Sequence, residues 1–424
     1  TTTHTYTYLP NQEYTFKVKT QDQAGNSDST PDEISFTVNV IDVSSPETII
    51  LSGPEGIIVQ DELTYEWEGI DDISPPYKLV YSYILEGYNT AWTPWTNTTT
   101  HTYTNLPDNT YTFKVKTQDL AGNSDPTPAE ITCSIDTRPP ITTLLVEGEK
   151  GDNGWYTSDV LIGMNTSDNI TGVAATKYQI DNGDYQNYEN PFYVLTEGNH
   201  TLNYYSIDNA GHQEQQKTIN IKIDKTPPVT TYTKKPEKPN GNNQWYIGFV
   251  TVTLDRKDTQ SVTKETMYRI DDGEWHIYSR PIYIENEGNH TIYYYSIDNA
   301  GNKENNKLFH LKIDTLSPMI DILSPKKGGL YISDRKIINL PYQVLVIGKV
   351  YIIVDAIDNN SGVAEINFVI DGEIQYTDTK EPYEWIYKSE EVFFHKHTLS
   401  ITVEDNAGNN ETILGMDIWT VLSL

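Results

Sequence analysis

The chain has 424 residues, more than one hydrophobic core normally supports, so several domains are expected. Leu is scarce while Tyr, Thr, Ile and Val abound, a composition that suits pleated sheets better than helices. Thirty Lys and Arg against sixty Asp and Glu leave a formal charge of −30, which repels phosphate backbones and anionic lipid. That balance argues against nucleic acid as a partner and favours divalent cations.

In chain order, the first residues carry no signal-peptide pattern. Residues 1–36 match residues 98–133 at an offset of 97, pairing Tyr6 with Tyr103, Phe16 with Phe113 and Asp22 with Asp119. Segment 1–42 therefore reads as the C-terminal half of a module. The earlier half is seen only in the second copy, as "LTYEWEGI" and "YKLVYSYILEGY". Tyr14, Phe16 and Val18 are then expected to face water beside unpaired strand edges. Two completions are open: the natural chain continues upstream, or strands of a neighbouring copy add on and the array polymerises head to tail.

The second module is expected over 43–136. In "TYTFKVKTQD", Tyr111, Phe113 and Val115 share one face, and continuing the alternation turns Thr117 and Asp119 inward as well. The single cysteine, Cys133, has Phe36 as its repeat-mate and reads as a small core position, not a reactive thiol. Modules three (137–224) and four (225–314) align without gaps at an offset of 90. Asp181-Asn182-Gly183 and Asp271-Asp272-Gly273 sit between alternating runs, a strong hairpin signal. The fifth module, 315–424, contains the longest apolar stretch, "LPYQVLVIGKVYIIVDAI"; its Tyr, Gln and Lys make it read as paired strands and not as a membrane span.

One phrase recurs in every module, just before its last strand: "QDQAGN", "QDLAGN", "IDNAGH", "IDNAGN" and "EDNAGN". Its aspartates are Asp22, Asp119, Asp208, Asp298 and Asp405, spaced by 97, 89, 90 and 107 residues, about one β-sandwich module apart. After each of the first four comes a strand ending in Asp and a proline-bearing link, as in "IDTRPP" and "IDKTPP", which reads as a short semi-rigid joint. No segment keeps a 3.6-residue period over a helical length, so the chain is all-β, with modules lying end to end in an extended array.

The inward aspartate needs partners, because an unpaired buried charge is costly. Either it accepts backbone N–H groups of the Ala-Gly-Asn turn, with Gly supplying a positive φ, or it joins other oxygens around Ca²⁺. Calcium candidates are Asp168 and Asn169 of "SDNITG", Asp358 and Asn359 of "IDNNSG", the turn residues Asp208, Asp298 and Asp405, and the linker aspartates. Module four argues against a general site: Asp258 matches Asp168, but Thr259 replaces Asn169 and the glycine is gone.

Modules three and four, with "YQIDNGDYQNY" and "EGNHTLNYYSIDNAGHQE", resemble the OmpL47-type Ig-like β-domain of bacterial and archaeal surface proteins. Module two, "YSYILEGYNTAWTPWTN…NTYTFKVKTQDLAGNSD", resembles Y_Y_Y and fibronectin-III-like modules, and module five resembles a secreted Ig-like module. The resemblance implies an all-β linear array of Ig-like/fibronectin-III-like β-sandwich domains, at the cell surface or secreted, and no shared chemistry.

No sequence motif of a hydrolase, a metalloprotease or a phosphate-binding loop is present. His395 and His397 share a strand face but lack an apparent third metal ligand. Trp92, Trp95, Trp155, Trp245 and Trp275 suggest a sugar-stacking platform or, for the repeat-mates Trp155 and Trp245, ordinary packing. Seven Asn-x-Ser/Thr sequons occur, at Asn97, Asn165, Asn169, Asn199, Asn289, Asn359 and Asn410. The function expected is non-catalytic and extracellular: a stalk, filament or surface-layer component that spaces, self-associates or attaches. The alternatives are the non-catalytic tail of a secreted hydrolase, positioned on glycan or cell wall, and a soluble carbohydrate-binding protein.

Overall fold

In the computed structural model of the protein, residues 3–7, 9–10, 12–39 and 41–422 are described, so the extreme ends of the expected modules 1–42 and 315–424 lie outside the described residues. The protein is all-β: small sheets follow one another in tandem Ig-like and fibronectin-III-like modules. Among the described residues the only helical segments are two three-residue turns, Pro76–Lys78 and Asp152–Gly154. No helix is long and apolar enough to cross a membrane. The chain divides into two compact units: Thr1–Leu145 with Ile162–Phe192 and Thr201–Ile219, and Val146–Leu161 with Tyr193–His200 and Asn220–Leu424.

The first unit opens with a two-stranded antiparallel sheet, Gln12–Val18 against Asp32–Val38, in which Tyr14 faces Phe36 and Phe16 faces Ile34. Alternation puts Tyr14, Phe16, Val18, Ile34 and Phe36 on one face and Glu13, Thr15, Lys17, Glu33 and Ser35 on the other. Phe16 is only half-buried, and Val18, Ile34 and Phe36 are exposed. The same face in the next module is a closed core. There the sheet Glu47–Ser52, Leu63–Ile70, Thr100–Tyr103 covers the sheet Gly56–Ile58, Ala129–Ile135, Asn109–Gln118, Val80–Glu86.

Strand Leu63–Ile70 turns Leu63, Tyr65, Trp67 and Gly69 inward and Thr64, Glu66 and Glu68 outward. Tyr65 stacks on Phe113 with centroids 4.1 Å apart, and Trp67 leans on both Phe113 and Tyr83. Burying each such ring stabilises by roughly 1.5–3 kcal/mol. Cys133 lies in this core, its Sγ 3.7 Å from the Tyr65 hydroxyl, and burial raises its thiol pKa. It is a packing residue, as its repeat-mate suggested. The unit also holds strand Val173–Ile180, which pairs with Gln186–Asn187 across the Asp181 turn and with strand Gly198–Asp208.

In the second unit, Val229–Lys235, Val250–Lys257 and Ile282–Ile284 form one sheet, and His276–Ile277, Thr263–Ile270, Gly288–Asp298 and Lys307–Ile313 form its partner. Val250, Val252, Ile292, Leu311 and Ile313 fill the space between them. The last module pairs a three-stranded sheet, Met319–Ser324, Lys349–Ile357 and Tyr383–Lys388, with a seven-stranded one centred on His395–Asp405 and Asn410–Val421. The long apolar stretch is indeed strands, but they do not pair with each other. Val344–Ile347 runs parallel to Gly329–Ile332 and to the final strand, whereas Lys349–Ile357 crosses to the opposite sheet. Gly348, at φ +86, makes the switch between sheets. The stretch reads as paired strands in sequence because its apolar residues line two faces of one core.

Candidate metal centre at the module joints

The recurring aspartate caps its own turn. In module five, Asp405 Oδ1 accepts the N–H groups of Ala407, Gly408 and Asn409 at 2.7–2.9 Å, and Oδ2 accepts Asn409 Nδ2 at 2.9 Å. Asp119 and Asp298 hold Asn123 and Asn302 in the same way, and Asp22 holds Ala24 and Asn26. The turn glycines Gly25, Gly122, Gly211, Gly301 and Gly408 all lie between φ +92 and +97. A side chain is strained there, which is why the phrase keeps its glycine. In module three His212 stands where the other copies have Asn; its N–H meets Asp208 Oδ1 at 2.8 Å and its Nδ1 lies 3.2 Å from Oδ2.

The asparagine that ends the turn does a second job, invisible in sequence. Its Nδ2 also donates to the carbonyl of the linker aspartate: Asn123 to Asp42 at 3.2 Å, Asn302 to Asp224 at 2.9 Å, Asn409 to Asp314 at 3.0 Å. The linker carboxylate in turn reaches the loop that holds the matched "SDN" aspartate. Asp224 Oδ2 accepts Ser261 N–H at 3.0 Å, Asp314 Oδ2 accepts Ser361 N–H at 3.1 Å, and Asp136 Oδ2 accepts the Thr171 hydroxyl at 2.5 Å.

Three carboxylate-bearing segments therefore converge at three of the joints. Asp42, Asp71 and Asp119 bring ligand atoms within 4.8 Å of one another, as do Asp224, Asp258 and Asp298, and Asp314, Asp358 and Asp405; the fourth group is Asp136, Asp208 and His212. Asp224, Asp298, Asp314 and Asp405 are fully buried. Among the described residues none of these aspartates pairs with Lys or Arg, and at the first joint Asp42 Oδ2 and Asp71 Oδ1 are buried without a hydrogen bond. Like charges this close raise one another's pKa unless a cation joins them. At Asp258, burial and then the Asp224 and Asp298 charges push the carboxyl above its ordinary value, despite N–H bonds from Val262 and Gln260.

Module four keeps the convergence of carboxylates although Thr259 stands where module three has Asn169 and the loop glycine is gone. Neither Asn169 nor the glycine is needed, because Asp258 Oδ1 holds the loop through Gln260 and Val262, and Val262 itself adopts φ +67. Module three departs in the other direction. Asp168 Oδ1 is taken by the N–H groups of Ile170, Thr171 and Gly172 and does not join the Asp136–Asp208 group. Asn169 and Asn359 are exposed at the loop tips. The donor set elsewhere, three carboxylates with backbone carbonyls beside them, is that of a hard oxygen-seeking cation such as Ca²⁺.

Within the second unit a further contact locks two joints. The Asp152 N–H donates to the Ala300 carbonyl at 2.8 Å and Asn153 Nδ2 to the Asn299 carbonyl at 2.9 Å; Asn242 and Asn243 repeat this on Ala407 and Asn406 at 2.8 and 3.0 Å. A Cβ on Gly151 or Gly241 would stand 2.2 or 2.4 Å from the partner carbonyl, so these glycines are required by close approach. The two turns so docked bury Ala300 and Ala407 completely, while Ala24 and Ala121 remain exposed.

Other predicted residues fall out simply. Trp155 and Trp245 are buried, each with a lysine (Lys222, Lys312) over its ring. Trp92 and Trp95 flank Lys116, and Trp275 packs against Arg269 and Tyr295. All seven sequon asparagines are exposed.

Comparison with family models matches residues 72–136 to the Y_Y_Y domain and residues 2–38 to a bacterial Ig-like domain. No curated protein matches the chain. Among solved structures, the fibronectin(III)-like modules of Clostridium thermocellum CbhA align at TM-score 0.23 and 13% identity, covering 46% of this chain and 94% of that one. The FN1–FN3 domains of chicken CNTN1 align at TM-score 0.21 and 12% identity, covering 63% and 98%.

Proposed function

We propose that this chain is a non-catalytic structural and attachment segment of a bacterial or archaeal surface or secreted protein, whose module joints close on calcium. The bacterial Ig-like match supports the extracellular setting. The observation that carries the reading is the convergence, at three joints, of a linker aspartate, a loop aspartate and the turn aspartate, with no Lys or Arg paired to them among the described residues. The OmpL47-type likeness of modules three and four rests on their sequence, and the exposed sequons are the places a glycan would occupy. Calcium acts here as a strut: it neutralises three carboxylates from two modules and so couples their orientation. Each chain is then a row of spacers, and self-association or a glycan partner at its surface supplies attachment.

Titration calorimetry with CaCl₂ on the full chain tests this. Several equivalents binding in the affinity range of extracellular modules, about 10⁻⁴–10⁻³ M or tighter, is the expected result. No binding heat, or binding unchanged in the double substitution D224N/D314N, would refute the calcium joint.

A further inference from the structure

The loops of modules three and four that dock on the next module share one build. Each leads to a buried tryptophan and closes on it: the Gly151 N–H bonds the Trp155 carbonyl at 2.9 Å, and the Gly241 N–H bonds that of Trp245 at 3.0 Å. Asn153 and Asn243 both stand at positive φ, +52 and +49, a region asparagine tolerates. Beyond the backbone N–H and the asparagine amide, each loop makes a third bond to the next module. Lys264 Nζ meets Asp152 Oδ2 at 3.1 Å, and Asn242 Nδ2 donates to Glu404 Oε1 at 3.1 Å. The same three-point contact is thus built twice from different side chains.

Module two is built differently at this place. Tyr156 pairs with Ile223, Tyr246 with Ile313 and Ile58 with Ile135, so Ile57 occupies the position of the two tryptophans. The connection leading to it spans only 53–56, against 148–154 in module three and 236–244 in module four. Ile57 is 47% exposed, where Trp155 and Trp245 are 9% and 6% exposed. A Cβ on Gly56 would meet no atom within 4 Å, whereas one on Gly151 or Gly241 would strike the next module. The turn facing this short loop keeps Asn209 exposed and Ala210 partly so, unlike the buried Ala300 and Ala407. Bonds that span this second joint run through the linker: Thr137 Oγ1 donates to Asp108 Oδ1 at 2.7 Å, and Asp136 Oδ2 accepts the Thr171 hydroxyl at 2.5 Å.

We infer that the loop before the buried tryptophan is a latch that fixes one module on the next, and that the joint between modules two and three, whose loop is too short to latch, is a hinge. Modules joined by a linker alone move relative to one another, because a small polar contact leaves the linker torsions free. A second attachment away from the linker removes that rotation, and the glycine lets the two backbones meet closely enough to make it. At the hinge, Pro139 and Pro140 fix two φ angles, so bending falls on the residues before them. The latch uses none of the clustered joint aspartates, so it stands or falls apart from calcium.

Distances between paired spin labels on the full chain, measured by pulsed electron paramagnetic resonance in EDTA, are the test. Labels on the exposed positions of E130C/Q186C span the second joint, and those of Q186C/H276C span the third; Cys133 is buried and takes no label. The first pair is expected to give a distance distribution at least about twice as broad as the second. Adding G151V to the second pair should broaden it to the width of the first, because the new side chain meets the Ala300 carbonyl. Should G151V fail to fold by circular dichroism, N153G, which keeps the positive φ and removes the amide, should broaden it instead. Equal widths for the two pairs, or a second pair unchanged by the folded latch variant, would overturn the inference. Because no calcium is present, neither result bears on the cation.

Discussion

Asp258 shows how a single carboxyl reports on the joint. Its pKa is raised, first by burial and then by the charges of Asp224 and Asp298. A carboxyl raised in the folded state contributes stability that is fully present below its unfolded pKa, near 4, and is lost as pH rises through the folded value. At pH 7 the metal-free joint therefore carries a repulsion, and a bound cation relieves it. The substitution D258N should raise the melting temperature by about 2 °C in EDTA and lower it in calcium, where a ligand has been removed. Thermal melts of both proteins in both buffers check this, and the same sign in the two conditions would count against a cation. The inward aspartates were legible because a two-residue period carries them onto the apolar face, as with Tyr111, Phe113, Val115 and then Asp119. Their second partner, Asn123 reaching the Asp42 carbonyl, was not. Nothing in a linear spacing says which backbone carbonyl an amide will find across a joint.

At the scale of elements, hairpins were the most readable features. The Asp-Asn-Gly and Asp-Asp-Gly turns take φ +53 and +52 at Asp181 and Asp271, as the flanking alternation requires. Loop geometry was less so, since module four keeps its aspartate in place with Val262 at positive φ and no glycine. The two strands at residues 12–38 present a face whose copy in module two is closed. Tyr6, Leu9, Tyr14, Phe16 and Phe36 line an open apolar groove there. Exposed apolar sheet faces associate. Replacing Phe16 and Phe36 by Ser should reduce concentration-dependent association of this polypeptide, measured by sedimentation velocity. Equal association of parent and variant would show that the face is not what brings chains together.

For the molecule as a whole, repetition was the most informative property of the sequence, and it was also what concealed the exceptions. Four joints share a plan, but the second substitutes His212 for Asn and leaves Asp168 out of the cluster. The central claim is that carboxylate joints, not the module cores alone, set the stability of the array, and that calcium completes them. Binding at about 100 times the dissociation constant stabilises a site by roughly 2.7 kcal/mol. For modules of roughly 90 residues, each kcal/mol moves the transition by about 4–8 °C. Scanning calorimetry of the full chain in EDTA and in about 10 mM calcium is the most direct test. The account predicts transitions shifted upward by roughly 5 °C or more in calcium. Superimposable traces in the two buffers would contradict it.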